Sequence, residues 1–258
     1  MGKMIRYGLL FGAMLTLAGC SRPQESKKAE TPPPAAPVYY QVDPQTAGTL
    51  TGKVLFTGKK PERRKIDMDE DPQCAAQHHA AVFDQSLVVN RNGTLSDVFV
   101  YVKQGLEGKT FQPPERAVTI DQKGCWFYPR VIGIQTGQPL TVTNSDPVTH
   151  NIHPRPRVNR EWNQSQAQGA DPLTRRFTHP EVMIRVKCNI HSWMHAWIGV
   201  VDSPYFAVTG ADGTFELKNV PPGQYTIEAW QERLGTQEQP VTLGPSGRNA
   251  ITFTFKGE

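Results

Sequence analysis

The stretch Cys188-Asn189-Ile190-His191-Ser192-Trp193-Met194 places a thiol, an imidazole and a thioether within seven residues. Soft sulfur favours Cu(I), imidazole also accepts Cu(II), and a thioether can take a long axial position. Such a set exchanges one electron with little rearrangement, which is the chemistry of a type 1 copper site. A second imidazole is needed, and Thr149-His150-Asn151-Ile152-His153 offers one. Ordinary readings compete with this. A lone Cys on a strand is often a small buried hydrophobe, and a Met beside a Trp is often core packing. Zinc on one Cys and two His is a further option, although structural zinc sites rarely recruit Met.

The flanking sequence supplies the positioning elements. Residues 182–187 (Val-Met-Ile-Arg-Val-Lys) alternate as a strand does, and residues 196–201 read as the return strand. Cys188, His191 and Met194 are thereby predicted on the loop closing a hairpin. His150 is predicted on a loop just beyond the strand 138–144, so two loops at one end of a sandwich would close the site.

On these residues, the segment 117–201 resembles a cupredoxin of the amicyanin type, whose ligand loop is also Cys-x-x-His-x-x-Met. The matching pieces are His150-Asn151-Ile152-His153, the 38 residues from His150 to Cys188, and Phe177-Thr178 leading toward the strand before Cys188. The resemblance implies one type 1 copper with His150, Cys188 and His191 equatorial and Met194 axial. It implies Asn151 as the residue steadying the loop, and His191 as the more exposed ring through which electrons leave. Trp193 stands where the family has a smaller apolar residue, and is expected to shield the metal and present an apolar docking face. Asn189 and Ser192 replace the family's loop prolines, which bears on loop rigidity.

The 258 residues carry 22 Gly and 22 Pro, and Val/Thr/Phe runs recur between turns, so the fold is expected to be all-β. A net charge of +4 includes Lys3 and Arg6 and implies no nucleic-acid surface. Lys3 and Arg6 precede a short apolar run ending in Leu17-Ala18-Gly19-Cys20. That reads as a secretory signal over residues 1–19. It resembles a bacterial lipobox, which implies lipidation of Cys20 and a membrane anchor; Ser21 then fits the periplasmic face of an outer membrane. Of the four cysteines, Cys74 and Cys125 remain, and an oxidising compartment favours their disulfide.

Residues 20–46 are proline-rich and apolar-poor, and read as an extended tether. Residues 47–112 offer strands at 48–56, 87–89 and 97–102, with Asn92-Gly93 as a hairpin turn. The charged loop 59–71 reads as a solvated face, and residues 73–79 as a short helical turn. Residues 113–203 hold the cupredoxin-like part, in which Cys125 lies so that the disulfide would staple two domains together. Residues 154–176 read as a covering loop, with Arg155, Arg157 and Arg160 either a basic docking patch or solvated charge. Residues 204–258 carry Asp212-Gly213-Thr214-Phe215 and Pro221-Pro222-Gly223-Gln224-Tyr225. These resemble a carboxypeptidase regulatory-like module, a transthyretin-type β-sandwich. It looks short of a first strand, which residues 47–112 could complete.

Three functions follow as expectations. The first is a tethered carrier of single electrons between redox protein partners. The second, an enzyme, is disfavoured: Lys187 and Asn189 flank Cys188 where multicopper enzymes of this type have a His, and His153, His179 and His195 lack paired cluster motifs. The third is a non-redox copper-binding or surface-binding lipoprotein, to which His153 and His195 could contribute exchangeable ligands. His78 and His79 are adjacent and their side chains diverge, which argues against a second metal there.

Overall fold

Apolar residues at every second position need a sheet to gather them on one face, and most of the chain beyond residue 47 answers that need. The computed structural model describes residues 37–257 together with residues 1, 2, 4 and 8. The predicted leader, Cys20 and much of the 20–46 tether lie outside the described residues. Apart from one helical turn, Pro72–Ala75, the regular elements described are strands in four sheets. The protein is all-β.

Two of the sheets face each other across the core that positions the candidate site. One has the order Val131–Gln135, His195–Val201, Glu181–Lys187, His150–Arg155, Gln164–Gln166. The other runs Phe127–Tyr128, Val118–Gln122, Pro139–Asn144, Leu173–Arg176. Ile120, Leu140 and Val142 from the second meet Ile152, Ile184, Val186 and Ile198 from the first. Lys187 pairs with both His153 and His195, so the ends of three strands stand side by side where Cys188 begins.

A second core lies between the other two sheets. Gly48–Thr57 runs between Thr214–Val220 and Arg248–Lys256, antiparallel to the first and parallel to the second. Opposite lie Phe206–Val208, Phe99–Gln104, Gly223–Gln231 and Gly235–Leu243. Leu50, Val54, Phe215 and Phe253 pack there against Val100, Val102 and Ile227. Strands from both ends of the described chain thus share one sheet.

The two cores meet at a seam built on Phe99, with Tyr101, Val131, Met183 and Val201 around it. Gly133 and Gly199 are cross-strand partners beneath this ring. A methyl on Gly199 would stand 2.5 Å from Phe99 Cζ, and one on Gly133 2.2 Å from Phe206 Cδ2. The paired glycines therefore form the flat seat that lets aromatic rings lie on the sheet.

Several expectations are corrected. Residues 87–89 form no strand, only an isolated bridge from Val89 to Leu95. Asp97 has a φ of 58°, so the strand predicted from 97 starts at Phe99. The supposed covering loop contains Gln164–Gln166 and Leu173–Arg176, each at the edge of a sheet, where polar sequence is compatible with pairing. Gly235–Leu243 had no apolar run to announce it; it is an edge strand that tolerates Pro240. The disulfide Cys74–Cys125 is present. Both its cysteines lie in the first core together with Met68, so it pins the 66–82 excursion onto that core.

The seam gives a direct expectation. Gly199→Ala forces Phe99 off its seat and lowers the unfolding free energy by about 1–3 kcal/mol, read by urea denaturation. An unchanged midpoint would mean that the ring is not held there.

Candidate metal centre

The loop of interest closes the hairpin between Glu181–Lys187 and His195–Val201. It is tightened by Cys188 N–H donating to Met194 O at 3.1 Å and Met194 N–H donating to His191 O at 3.1 Å. Both bonds are local, so the loop holds its shape without depending on a metal. His150 opens the strand His150–Arg155 instead of lying on a free loop, and the sheet itself fixes its backbone. Asn151 accepts from Asn189 N–H and donates its side-chain N–H to Asn163, tying the two segments together.

These elements bring one nitrogen of each of His150 and His191 and the Cys188 sulfur within 4.8 Å of one another, all buried. The Nδ1 atoms of His150 and His191 lie 2.9 Å apart, and Cys188 Sγ is 3.9 Å from His191 Nδ1. Donors that each stand about 2.0–2.3 Å from one ion must be roughly 3–4 Å from each other in a three-cornered arrangement. The spacing suits a single small cation. Met194 is fully buried beside them in the sequence of the loop.

The outer nitrogens decide how the rings present themselves. His150 Nε2 is 2.8 Å from Asp146 Oδ2, and His191 Nε2 is 2.9 Å from Asp71 Oδ2. Carboxylates accept, so each neutral ring carries its proton on Nε2 and turns an Nδ1 lone pair inward. Two lone pairs facing each other at 2.9 Å repel unless a proton or a metal ion lies between them. This donor set fits copper, or another cation of similar softness.

Asp146 is itself set in place by Gly124 N–H at 2.6 Å and Cys125 N–H at 2.7 Å. Burial alone would raise its carboxyl, yet the His150 bond and these two amides hold it below the ordinary value. Asp71 caps the helical turn, accepting from Gln73 and Cys74 N–H. The His191 bond is the main reason that its carboxyl is also lowered. Burial likewise pushes the Cys188 thiol up, but His150 and the N–H groups of Asn151, His191 and Ile190 outweigh it and bring it down to about 6. Those amides lie 3.4–3.5 Å from the sulfur.

His191 is the more exposed of the two rings, 3% against 0% for His150, whereas the docking face expected of Trp193 is overturned. Asp71 and the disulfide cover the outer edge of His191; Cys74 Sγ is 3.7 Å from Nε2. Trp193 is buried, its ring centroid 5.1 Å from that of His191 and its Nε1–H on Cys125 O, so it shields the site but presents no face to solvent. Ile190 is the loop's exposed apolar residue, at 53%. The other histidines are engaged elsewhere. His153 meets Asn189 and Glu161, His195 meets Trp193 O and the Glu232 carboxylate, and His78 bonds Gly124 O. His79 is exposed. Arg155, Arg157 and Arg160 are exposed, with Arg155 paired to Glu161. Asp71 and Asp146 escaped the sequence reading. Asp146 stands four residues before His150, a spacing that could have flagged it, whereas nothing in the sequence ties residue 71 to residue 191.

No family model matches the chain, and no curated protein matches it. Solved structures do. A Cu-containing nitrite reductase from Thermus scotoductus SA-01 matches at 21% identity over 38% of this chain and 24% of its own, with a TM-score of 0.32. This chain therefore spans about a quarter of that enzyme. A purple cupredoxin from Nitrosopumilus maritimus matches at 20% identity over 32% of this chain and 98% of its own, with a TM-score of 0.28. An amicyanin variant in its oxidised state matches at 19% identity over 33% and 81%, with a TM-score of 0.29. With likenesses this partial, the chemistry rests on the site's own geometry.

The thiol offers a test on metal-free protein. A folded value near 6 against an ordinary 9.0 means that the fold favours the thiolate. That contribution to stability is complete above the unfolded value and is lost as pH falls through the folded one. The ultraviolet thiolate absorbance should rise with a midpoint near pH 6, and His150→Ala should move the midpoint upward. A midpoint unmoved by the substitution would remove His150 from the thiol's surroundings.

Proposed function

We propose that this protein is a type 1 copper protein that carries single electrons. His150, Cys188 and His191 are the equatorial ligands of one copper and Met194 is the axial one. The observation that carries the reading is the pair of inward Nδ1 atoms 2.9 Å apart beside a buried thiol, each ring fixed from behind by a carboxylate. Copper bound there would supply a one-electron couple. The residues do the rest: the loop and the sheet hold the donors at fixed spacing, burial excludes water, and three amides spread the thiolate's charge.

Lipidation of Cys20 would hold the carrier on the periplasmic face of a membrane, the outer one by the Ser21 signal, with the 20–46 segment as its tether. The partner is a redox protein. Arg155, Arg157 and Arg160 would steer an acidic partner toward the loop, since exposed charge acts mainly on encounter. Ile190 would be the contact point, because its N–H lies on the Cys188 sulfur while its side chain reaches solvent. The carboxypeptidase regulatory-like part adds a second sandwich against which the copper part is braced.

A second reading, copper held without electron exchange, is favoured by one observation: the outer edge of His191 is closed. Reconstitution with Cu(II) separates them. An electron carrier shows an intense visible thiolate-to-copper band, lost in Cys188→Ser, and exchanges electrons with a small soluble redox dye. Ile190→Asp should leave the band in place and slow exchange with a protein partner by roughly tenfold or more, the scale of a lost interface contact. A colourless Cu(II) complex would end the carrier reading.

A further inference from the structure

The disulfide sits against the outer edge of the two histidines, where it has neighbours that a purely structural bond does not need. Asp71, Cys74 and His191 each offer a ligand atom within 4.8 Å of the others, and so do Cys125, Asp146 and His150. The Cys74–Cys125 bond joins these two groups into one. The carboxylates are oriented by backbone amides, Gln73 and Cys74 N–H for Asp71, and Gly124 and Cys125 N–H for Asp146. Opening the S–S bond would leave two adjacent thiols, one beside the Asp71 carboxylate and the other beside that of Asp146.

We infer that Cys74, Cys125, Asp71 and Asp146 form a second metal site, masked in the disulfide state, for one soft d¹⁰ cation such as Zn(II), Cd(II) or Cu(I). Two thiolates with two carboxylates make a four-coordinate set of the kind such ions take, and the sulfurs exclude hard cations. Two bonded sulfurs need separate only to about 3.7 Å to share an ion at roughly 2.3 Å from each, so a small shift of the 66–82 excursion suffices. The chain is made with these thiols reduced, so the dithiol state precedes the bond. From the closed state, a two-electron reductant opens it: the disulfide takes up two electrons and two protons. A dithiol leaves as its own disulfide, and a phosphine, with water, as its oxide. The incoming cation then displaces the two thiol protons. The site lies outward of the Cys188 centre and uses none of its sulfur; it shares with that centre the two carboxylates that hold His150 and His191, and the Cys188→Ser background separates its failure from that of the copper reading.

The full chain carrying Cys188→Ser isolates this site. After reduction with a phosphine, titration with Cd(II) should give one ion per chain and an ultraviolet thiolate-to-cadmium band, with the strand circular dichroism retained. The unreduced protein should give neither. Adding Cys74→Ser and Cys125→Ser should abolish the band, and Asp71→Asn or Asp146→Asn should each raise the Cd(II) dissociation constant at least about tenfold. The inference is overturned by less than about a tenth of an ion bound per reduced chain, by loss of the fold on reduction, by a band that survives removal of both thiols, or by carboxylate variants that bind as tightly as the parent.

Discussion

The centre depends on where two protons sit. A carboxylate behind each imidazole takes the Nε2–H, and the lone pair on the other nitrogen has then only one direction left. Neither ring chooses its tautomer by its own chemistry; Asp146 and Asp71 choose for it. The inner face is therefore two Nδ1 atoms and a sulfur that must share either a proton or a cation. The sheet ends and the short loop supply position, while the carboxylates supply polarity.

Those two carboxylates come from distant parts of the chain, and that explains the excursion at 66–82. Asp146 is local to His150 and needs only the turn between two strands. Asp71 must be delivered to His191 from 120 residues away. A single helical turn and a covalent bond deliver it: Asp71 caps the turn, and Cys74 one turn later is bonded to Cys125. Cys125 in turn gives its N–H to Asp146 and its carbonyl to Trp193. One disulfide thus fixes both carboxylates and the indole that covers the site. Removing water from this cluster strengthens every interaction within it, so the cover and the polarity of the centre are one construction.

What could be read from the sequence was what is local. The strand at 182–187 follows from alternation and that at 196–201 as its return run, and the disulfide partners from the cysteine count. Elements with weak alternation were lost: Gln164–Gln166, Leu173–Arg176 and Gly235–Leu243 are polar because they lie at sheet edges, where one side faces water. The run 87–89 misled in the opposite sense, since apolar residues also fill the space beneath a loop, as Leu87 does in the second core. The docking face of Trp193 failed because Cys125, far away in sequence, covers the indole. A charged loop read as solvated face contains Asp71, whose role shows only when its partner is in view. At the seam, the apolar run 196–201 gave no hint that Gly199 is a seat for Phe99; a glycine's use there lies in what it leaves room for.

Closing the edge of His191 also changes where charge could pass. An imidazole open to solvent offers a partner a direct route to the metal's surroundings, but here that route ends on a carboxylate and a disulfide. The remaining short path runs through the loop itself. Cys188 is covalently joined to Asn189 and Ile190, Ile190 N–H points at the sulfur, and its side chain stands in water. Asn189 in turn is held by Asn151 and by His153, which leans on Glu161 and so on Arg155. Arg155, the polar chain and the apolar tip are thus linked to one another beside the thiolate. A partner bound there would meet positive charge at the rim and a hydrophobic contact at the centre, the division of labour expected of an interface that must form quickly and separate again.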